Sequence, residues 1–292
     1  MYYYIINPSS GRGSINNLQD KLRGTLTELG ISGEFAKTTG PGEATKMAKA
    51  AADKGFNTIV AVGGDSTVNE VINGLVGSQA AIGIIPIGTS NELANQFGIH
   101  NWPQACAVLA GRRVTEYGLI AAGQKYFLST LTLGFETDLD KNVDLEPSSG
   151  IQGRLGQFTA SWSHARHFQA FACHIAIDDK LEIDADIFSL SVTNHKFSDS
   201  LANNELVVSL IDKPNTGGMT TYLWNHLKGA KPIEEIPTTR LQGKRIVITT
   251  NPPTGIMIDG KLAGRTPIAI RLTDRRVRII TEKQLGNIKA SL

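Results

Sequence analysis

The sequence has little net charge, few cysteines and no long apolar run. Its 29 basic and 27 acidic side chains leave a formal net charge of +2, so we expect no nucleic-acid partner, which would require a concentrated basic face. Cys106 and Cys173 lie in apolar segments and predict buried thiols in a reducing compartment. No stretch approaches the roughly 18 apolar residues of a membrane span, and no signal peptide is recognisable. We therefore expect a cytoplasmic protein without a transmembrane segment.

Two common phosphate-binding motifs are also missing. The sequence contains neither GxxxxGK[ST] nor GxGxxG. These absences argue against a P-loop enzyme and against a dinucleotide dehydrogenase of the usual kind.

The order of predicted elements indicates two domains, as does the length of 292 residues. Residues 1–120 alternate strand and helix four times, which predicts a Rossmann-like α/β domain with a parallel sheet and ligands at the carboxyl ends of its strands. Residues 121–271 contain mostly successive strands, including one over 125–132, with one helix over 154–169. They predict a β-rich, antiparallel, β-sandwich-like domain. The last segment, about 272–292, contains a strand that is a candidate to return to the first domain.

A glycine-rich loop follows the third predicted strand. Gly63 and Gly64 end a buried strand, and Asp65, Ser66 and Thr67 open a helix. Glycine permits close backbone approach to a phosphate, and a helix N-terminus favours an anion. The alternative is an ordinary strand-to-helix turn in which Asp65 or Ser66 only caps the helix.

Two further loops at the same predicted sheet edge favour the phosphate interpretation. The segment NPSSG (7–11) follows the first strand, and GTSN (88–91) follows the fourth. Both are rich in glycine, hydroxyl and amide groups and precede a helix. Three such loops at one edge are more specific than one alone.

These segments carry a resemblance to a known family. NPSSGRG, GGDSTVNEVINGL and PIGTSNELANQFGI resemble the three signature blocks of the diacylglycerol kinase catalytic-domain family, which includes bacterial lipid kinases and sphingosine kinases and is distantly related to NAD kinases. LGFETD (133–138) and GIMIDGKLAG (255–264) extend the resemblance over essentially the whole chain. It implies ATP and Mg²⁺ as cofactors and a lipid substrate at a membrane surface with peripheral contact, and it leaves a homodimer open.

The resemblance also implies roles for individual residues. Asp65 would deprotonate the acceptor hydroxyl or help to hold Mg²⁺, and Asp259 and Lys261 occupy the family's second catalytic segment. Glu70, Asn73 and Asn91 are expected to support the loops. The residues expected to bind the nucleotide are Asn7, Ser10, Gly11, Gly63, Gly64, Ser66, Thr67, Gly88 and Thr89.

The sequence departs from the family pattern at several positions. Ser66 replaces the last glycine of GGDG, and Lys261 replaces the glutamate of Asp-Gly-Glu. A lysine can serve neither as an anionic base nor as a magnesium ligand, although it could stabilise a transferred phosphate. Asn203–Asn204 stand where some bacterial members bind a structural magnesium, and Glu136 stands where the family often has aspartate.

Three functional hypotheses remain at this point. The first is a lipid kinase that transfers the γ-phosphate of ATP to a lipid hydroxyl, with diacylglycerol as the acceptor implied by resemblance. The second is a catalytically impaired pseudokinase that binds nucleotide or lipid. The third and weaker one is a kinase of a soluble acceptor such as NAD. A cluster of arginines (Arg271, Arg275, Arg276 and Arg278) could contact anionic lipid or phosphate, but a solvated strand end is the simpler interpretation.

Overall fold

The computed structural model describes residues 1–11, 15–89, 91–142, 151–194, 205–228 and 238–282. The chain forms two compact units. Unit 1 comprises Met1–Leu128 together with the chain from Thr273 onward, and unit 2 comprises Ser129–Leu272. The boundary therefore lies eight residues beyond the predicted position after residue 120, because residues 125–127 pair with residues 120–122 and so belong to unit 1.

Unit 1 begins with alternating strands and helices. Its elements up to residue 127 are β1 (Tyr2–Ile6), α1 (Ile15–Glu28), β2 (Gly33–Lys37), α2 (Glu43–Asp53), β3 (Thr58–Gly63), α3 (Asp65–Gly74), β4 (Ala81–Pro86), α4 (Glu92–Gln96), α5 (Trp102–Gly111), β5 (Val114–Ala122) and β6 (Lys125–Phe127).

The first four strands form a parallel sheet in the order β2-β1-β3-β4. Every residue of β3 and of β4 is buried, as expected of central parallel strands with both faces covered. The carboxyl ends of β1, β3 and β4 consequently lie side by side at one edge of the sheet.

Unit 2 is built mainly of antiparallel strands. Its elements are β7 (Thr130–Gly134), α6 (Phe135–Asn142), α7 (Ile151–His167), β8 (Phe171–Ile177), β9 (Leu181–Ile187), β10 (Ser189–Asn194), β11 (Leu206–Ile211), α8 (Thr216–Lys228), β12 (Thr238–Gly243), β13 (Arg245–Asn251), β14 (Gly255–Ile258) and β15 (Lys261–Arg265).

Six of these strands form one antiparallel sheet in the order β12-β11-β10-β7-β14-β15, while β13, β8 and β9 pair antiparallel with one another in that order. An apolar cluster that includes Phe135, Phe188, Tyr222 and Leu223 packs α6 and α8 within the unit. Phe135 and Phe188 are stacked, with their ring centroids 4.6 Å apart.

The last strand, β16 (Ile268–Ile280), passes from unit 2 into unit 1. Its first part pairs antiparallel with β13, for example Ile270 with Ile246, and its last part pairs parallel with β4, where Arg278 lies beside Ala81. The strand expected to return to the first domain thus pairs with the parallel sheet of unit 1.

The fold class predicted from the sequence is confirmed, since a parallel α/β sheet is followed by antiparallel β structure. One predicted strand is wrong: residues 125–132 form two strands, β6 and β7, because β6 pairs with β5 in unit 1 and β7 pairs with β10 in unit 2. Helices α5, α6 and α8 were not predicted. Over the described residues, no helix combines the length and the apolar character needed to cross a membrane.

Candidate functional site

Three loops follow β1, β3 and β4 at the carboxyl edge of the parallel sheet. We call residues 7–11 the first loop, 63–67 the second loop, and 87–91 without residue 90 the third loop. The first loop is joined to β3 by the backbone N–H of Asn7, which donates to the Val62 carbonyl at 3.0 Å. The third loop is joined to the second where the N–H of Ile87 donates to the Gly63 carbonyl at 3.1 Å. The structure therefore brings the three predicted loops together.

The side chain of Asn7 connects the first loop to helix α3. Its Nδ2 donates to Oγ1 of Thr67 at 3.0 Å, and its Oδ1 accepts from the backbone N–H of Ser9 at 3.0 Å. Thr67 is 2% exposed. Because both ends of the Asn7 amide are bonded within the protein, Asn7 and Thr67 hold the first loop against α3.

Glycines allow the three loops to touch backbone to backbone. A Cβ added at Gly88 would lie 2.5 Å from Cα of Gly64, closer than real Cβ atoms approach another atom. A Cβ added at Gly11 would lie 2.2 Å from the carbonyl oxygen of Ile87, and Gly11 has a φ of +83°. These glycines are therefore required for the packing of the loops, in addition to any approach of a phosphate.

The carboxylate of Asp65 ties the second loop to the start of helix α4. Oδ2 accepts the backbone N–H of Glu92 at 3.0 Å, and Oδ1 accepts that of Leu93 at 2.8 Å. The first N–H groups of a helix have no partner inside the helix, so a carboxylate there both satisfies them and interacts favourably with the helix dipole. Asp65 is 8% exposed. The geometry gives Asp65 a capping role across two loops.

Asn91 explains why α4 takes its cap from another loop. Its backbone is left-handed, with a φ of 50°, and its side chain turns back onto Gly88. Oδ1 accepts the Gly88 N–H at 2.9 Å, and Nδ2 donates to the Gly88 carbonyl at 2.8 Å. The predicted supporting role of Asn91 thus has a structural basis in the shape of the third loop.

The N-terminus of α3 is suited to an anion. Its N-cap is Gly64, which has no side chain to bond the first N–H groups, and the helix dipole places partial positive charge there. Ser10 and Ser66 are half-buried, whereas Gly11 and Thr89 are exposed. Ser66 lies in the first turn of α3, where a serine side chain is compatible with helical geometry.

Glu70 and Asn73 hold neighbouring elements against α3. Oε1 of Glu70 accepts the backbone N–H of Gly42, the N-cap of α2, at 2.9 Å. Asn73 pairs with the backbone of Tyr126 in β6, since Nδ2 donates to the carbonyl at 2.8 Å and Oδ1 accepts the N–H at 2.9 Å. Glu70 and Asn73 therefore have a structural role, since they hold α2 and β6 against α3.

Asp259 and Lys261 lie in unit 2, at the hairpin between β14 and β15. Asp259 and Gly260 both have positive φ, 44° and 74°, which is the geometry of a tight hairpin turn favoured by Asp-Gly. Oδ1 of Asp259 accepts the backbone N–H groups of Ser129 at 3.3 Å and of Thr130 at 3.0 Å. The half-buried Lys261 begins β15. The Asp-Gly pair therefore has a local structural explanation.

Glu136, from the LGFETD segment, forms a polar contact inside unit 2. Its carboxylate accepts hydrogen bonds from the hydroxyls of Ser189 and Tyr222. Burial, followed by the charge of Glu136, raises the pKa of Tyr222 well above its ordinary value. The network connects α6, β10 and α8.

The side chains near Asp65 are a poor fit to a magnesium cage. Both Asp65 oxygens accept backbone N–H groups, and among the described residues no three or more His, Cys, Asp or Glu side chains are grouped to hold a metal ion. Mg²⁺ in nucleotide enzymes is held largely by phosphate oxygens and water. Asn203–Asn204, which replace the segment that binds a structural magnesium in some family members, lie outside the described residues.

The sequence alone did not identify the partners that hold the loops in place. Glu92 and Leu93 act through backbone N–H groups, and Ile87 and Tyr126 through their backbone atoms. No local signal predicts this, because Asn91 immediately before α4 is itself a favoured N-cap residue, and only the structure shows that its side chain bonds Gly88 instead.

Comparison with known proteins agrees with the motifs. Residues 1–122 match the model of the diacylglycerol kinase catalytic domain. A Staphylococcus aureus protein named "Putative lipid kinase" is 27% identical over 256 residues, covering 80% of this chain and 79% of its own. An uncharacterised Synechocystis protein is 27% identical over 303 residues, covering 95% of this chain and 69% of its own.

Solved structures share the fold. The crystal structure of a "putative diacylglycerol kinase" from Bacillus anthracis aligns with a TM-score of 0.74 at 21% identity, covering 96% of each chain. An NAD kinase from Archaeoglobus fulgidus, in complex with ATP, aligns with a TM-score of 0.52 at 11% identity, covering 98% of this chain and 95% of its own. The resemblance stated from the motifs is confirmed: residues 1–122 match the model of the diacylglycerol kinase catalytic domain, and the fold is that of the structures named above.

Proposed function

We propose that this protein is an ATP-dependent lipid kinase that transfers the γ-phosphate to the hydroxyl of a diacylglycerol-like lipid at a membrane surface. The family of residues 1–122 and the names of the relatives support a kinase. The ATP in the NAD kinase structure of similar fold supports ATP as the donor.

The arrangement of the three loops is the observation that carries this proposal. Phosphoryl transfer requires mainly the positioning of the reactants and the stabilisation of phosphate charge. The bonds of Asn7 and Asp65 fix the loops before a ligand arrives, and the N-terminus of α3 supplies N–H donors and the positive end of a dipole. Polar groups held in place in this way do not have to reorganise during the reaction.

In the proposed reaction, the lipid oxygen attacks the γ-phosphorus, the bond to the β–γ bridging oxygen breaks, ADP leaves and the hydroxyl proton passes to water. We assign Asp65 to positioning the second and third loops, because protonation of its carboxylate would weaken the two bonds that cap α4.

The presence of a lysine at position 261 favours a second candidate function, that of an impaired kinase that retains nucleotide binding. The side chain stands where the family supplies a carboxylate, and a missing general base costs about 10²–10⁴-fold in rate. A matched pair of variants separates the two candidates. If the lysine limits turnover, Lys261→Glu will raise kcat while Lys261→Gln will not.

The deciding experiment measures phosphorylated product from ATP and Mg²⁺ with micelles containing diacylglycerol, sphingosine or phosphatidylglycerol, and with NAD as a soluble acceptor. Phosphorylated diacylglycerol supports the lipid kinase, and product from NAD alone overturns it in favour of a soluble acceptor. ATP binding without product from any acceptor, in the parent and in Lys261→Glu, overturns the kinase proposal.

A further inference from the structure

A cavity lies at the amino-terminal edge of the parallel sheet in unit 1, opposite the edge that carries the three loops. Its volume is about 580 Å³, within the usual range for small-molecule sites. The lining comes from the end of α2, the residues that lead into β3, β4 and β5, and the last part of β16. The three loops described above belong to the carboxyl edge, so this cavity is separate from them.

The charged side chains that line the cavity are all positive. Arg112 and Arg278 contribute guanidinium groups, and no aspartate or glutamate is among the lining residues. Arg275 lies nearby, since its Nη1 is 3.7 Å from the position of a Cβ built on Gly77. Asp53 and Lys54 precede the lining residue Gly55 in the sequence. Their opposite charges sum to zero.

Each of the two arginines is held in place by a neighbouring group. Nε of Arg112 donates to the Tyr2 hydroxyl at 2.8 Å, and Cζ lies 5.0 Å from the centroid of the Tyr2 ring. Nη1 of Arg278 donates to the Gln79 carbonyl at 2.7 Å. A guanidinium has five N–H donors, so each anchoring bond leaves others for a ligand.

The backbone at Arg112 adds to this picture. Arg112 has a φ of 50°, in the left-handed region, and ends helix α5. Glycine or asparagine is the residue usually found at such a position. The left-handed turn alone does not require an arginine, whereas a positive side chain interacts favourably with the carboxyl end of the α5 dipole.

We propose that this cavity binds a phosphate group through Arg112 and Arg278. Planar guanidinium groups bind phosphate oxygens by paired hydrogen bonds, and two anchored arginines without a lining carboxylate favour a dianion over a neutral ligand. The phosphate belongs either to a soluble phosphorylated compound or to a phospholipid headgroup. This proposal does not depend on the kinase reaction.

The test measures binding of inorganic phosphate and glycerol 3-phosphate by calorimetry, and binding to phosphatidylcholine vesicles with and without phosphatidic acid by sedimentation. The variant is Arg112→Gln/Arg278→Gln, and the matched control is Arg113→Gln, an exposed arginine next in sequence that does not line the cavity. We expect at least about a tenfold loss of affinity in the double variant, as for lost hydrogen bonds to a charged group, and no loss in the control.

Two further measurements separate a loss of phosphate binding from a loss of structure. Arg278→Gln alone leaves the Arg112–Tyr2 contact intact, so a loss of affinity in this variant cannot be attributed to that contact. Soaking crystals with tungstate, a phosphate analogue, locates the anion directly. Binding of soluble phosphates identifies a small-molecule site, and binding of phosphatidic acid vesicles alone identifies a headgroup site. Unchanged affinity in both arginine variants, absence of binding in both assays, or tungstate only at the three loops overturns the proposal.

Discussion

Leu93 donates its backbone N–H to the Asp65 carboxylate at 2.8 Å, although the two residues are 28 positions apart in the sequence. A second oxygen of the same carboxylate accepts the N–H of Glu92. The aspartate of the GGDS motif is thus part of the capping of a helix that follows a different strand. Its contribution to folding can be separated from any contribution to catalysis.

Asp65→Asn is expected to lower the free energy of unfolding by about 1–3 kcal/mol, because the amide loses the charge and turns one N–H donor toward a backbone N–H. Chemical denaturation measures this change. Asp20→Asn is the matched control, since Asp20 is exposed on α1, and its effect should stay within about 0.5 kcal/mol. Equal stability of the two variants, with activity lost only in Asp65→Asn, would contradict the capping role and favour direct participation in the reaction.

Gly88→Ala tests the contact between the second and third loops. The new Cβ would lie 2.5 Å from Cα of Gly64, so the loops must move apart. We expect weaker ATP binding and a loss of about 1–3 kcal/mol in stability, measured by calorimetry and denaturation. Gly24→Ala is the control, because Gly24 lies in the exposed part of α1 with no atom within 4 Å of its added Cβ, and it should gain about 0.5–1 kcal/mol. ATP affinity equal in both variants would refute the importance of this contact.

The sequence predicted the parallel sheet well for a physical reason. Strands such as β1 and β4 are short continuous apolar runs between turn residues, and buried parallel strands require this pattern. Helix α8 begins Thr-Gly-Gly, which disfavours a helix locally, and its formation reflects the packing of Tyr222 and Leu223 in the cluster of unit 2. Such packing between distant segments is not visible in a local pattern.

The candidate site was predictable to a similar extent. The motifs located the three loops, because glycine and hydroxyl residues after strands have a local explanation. The contacts of Asp65 with α4 and of Asn73 with β6 involve backbone atoms of distant residues, and backbone atoms leave no signal in residue identity. The sequence therefore located the loops, whereas the contacts of their side chains required the structure.

Asn73 tests the attachment of β6 to α3. Asn73→Ala removes both bonds to Tyr126, whereas Asn73→Asp retains an acceptor for the Tyr126 N–H. We expect the alanine variant to lose about 1–3 kcal/mol in stability and to exchange the Tyr126 amide hydrogen faster. The aspartate variant should keep this amide protected while losing stability through its carboxylate facing the Tyr126 carbonyl. Equal exchange of the Tyr126 amide in the parent and in Asn73→Ala would show that the pairing does not hold β6.

The two cysteines give the protein a predictable response to alkaline pH. Both side chains are buried. Burial raises the pKa of the Cys106 thiol to about 11, and burial followed by the charge of Asp184 raises that of Cys173 to about 12. Because the thiolate is the reactive form, neither cysteine should react with Ellman's reagent in the folded protein at pH 8, and both should react after denaturation. Rapid reaction of a folded thiol at pH 8 would contradict its burial.

The same shifts determine the direction of the stability change. A thiol in the unfolded chain ionises near pH 8.5, below its pKa in the folded protein, so between these values the folded state holds more protons and stability falls as pH rises. The stabilising contribution is complete below about pH 8.5 and is lost as pH rises through about 11 for Cys106 and about 12 for Cys173. Denaturation measures how far the free energy of unfolding falls between pH 8 and pH 10. This decrease should be smaller in Cys106→Ala/Cys173→Ala than in the parent, because the variant has no thiols to ionise and the cost of its cavities is the same at both pH values. An equal loss in the two proteins would assign the alkaline response to other groups, such as the buried Tyr222, whose pKa is also raised.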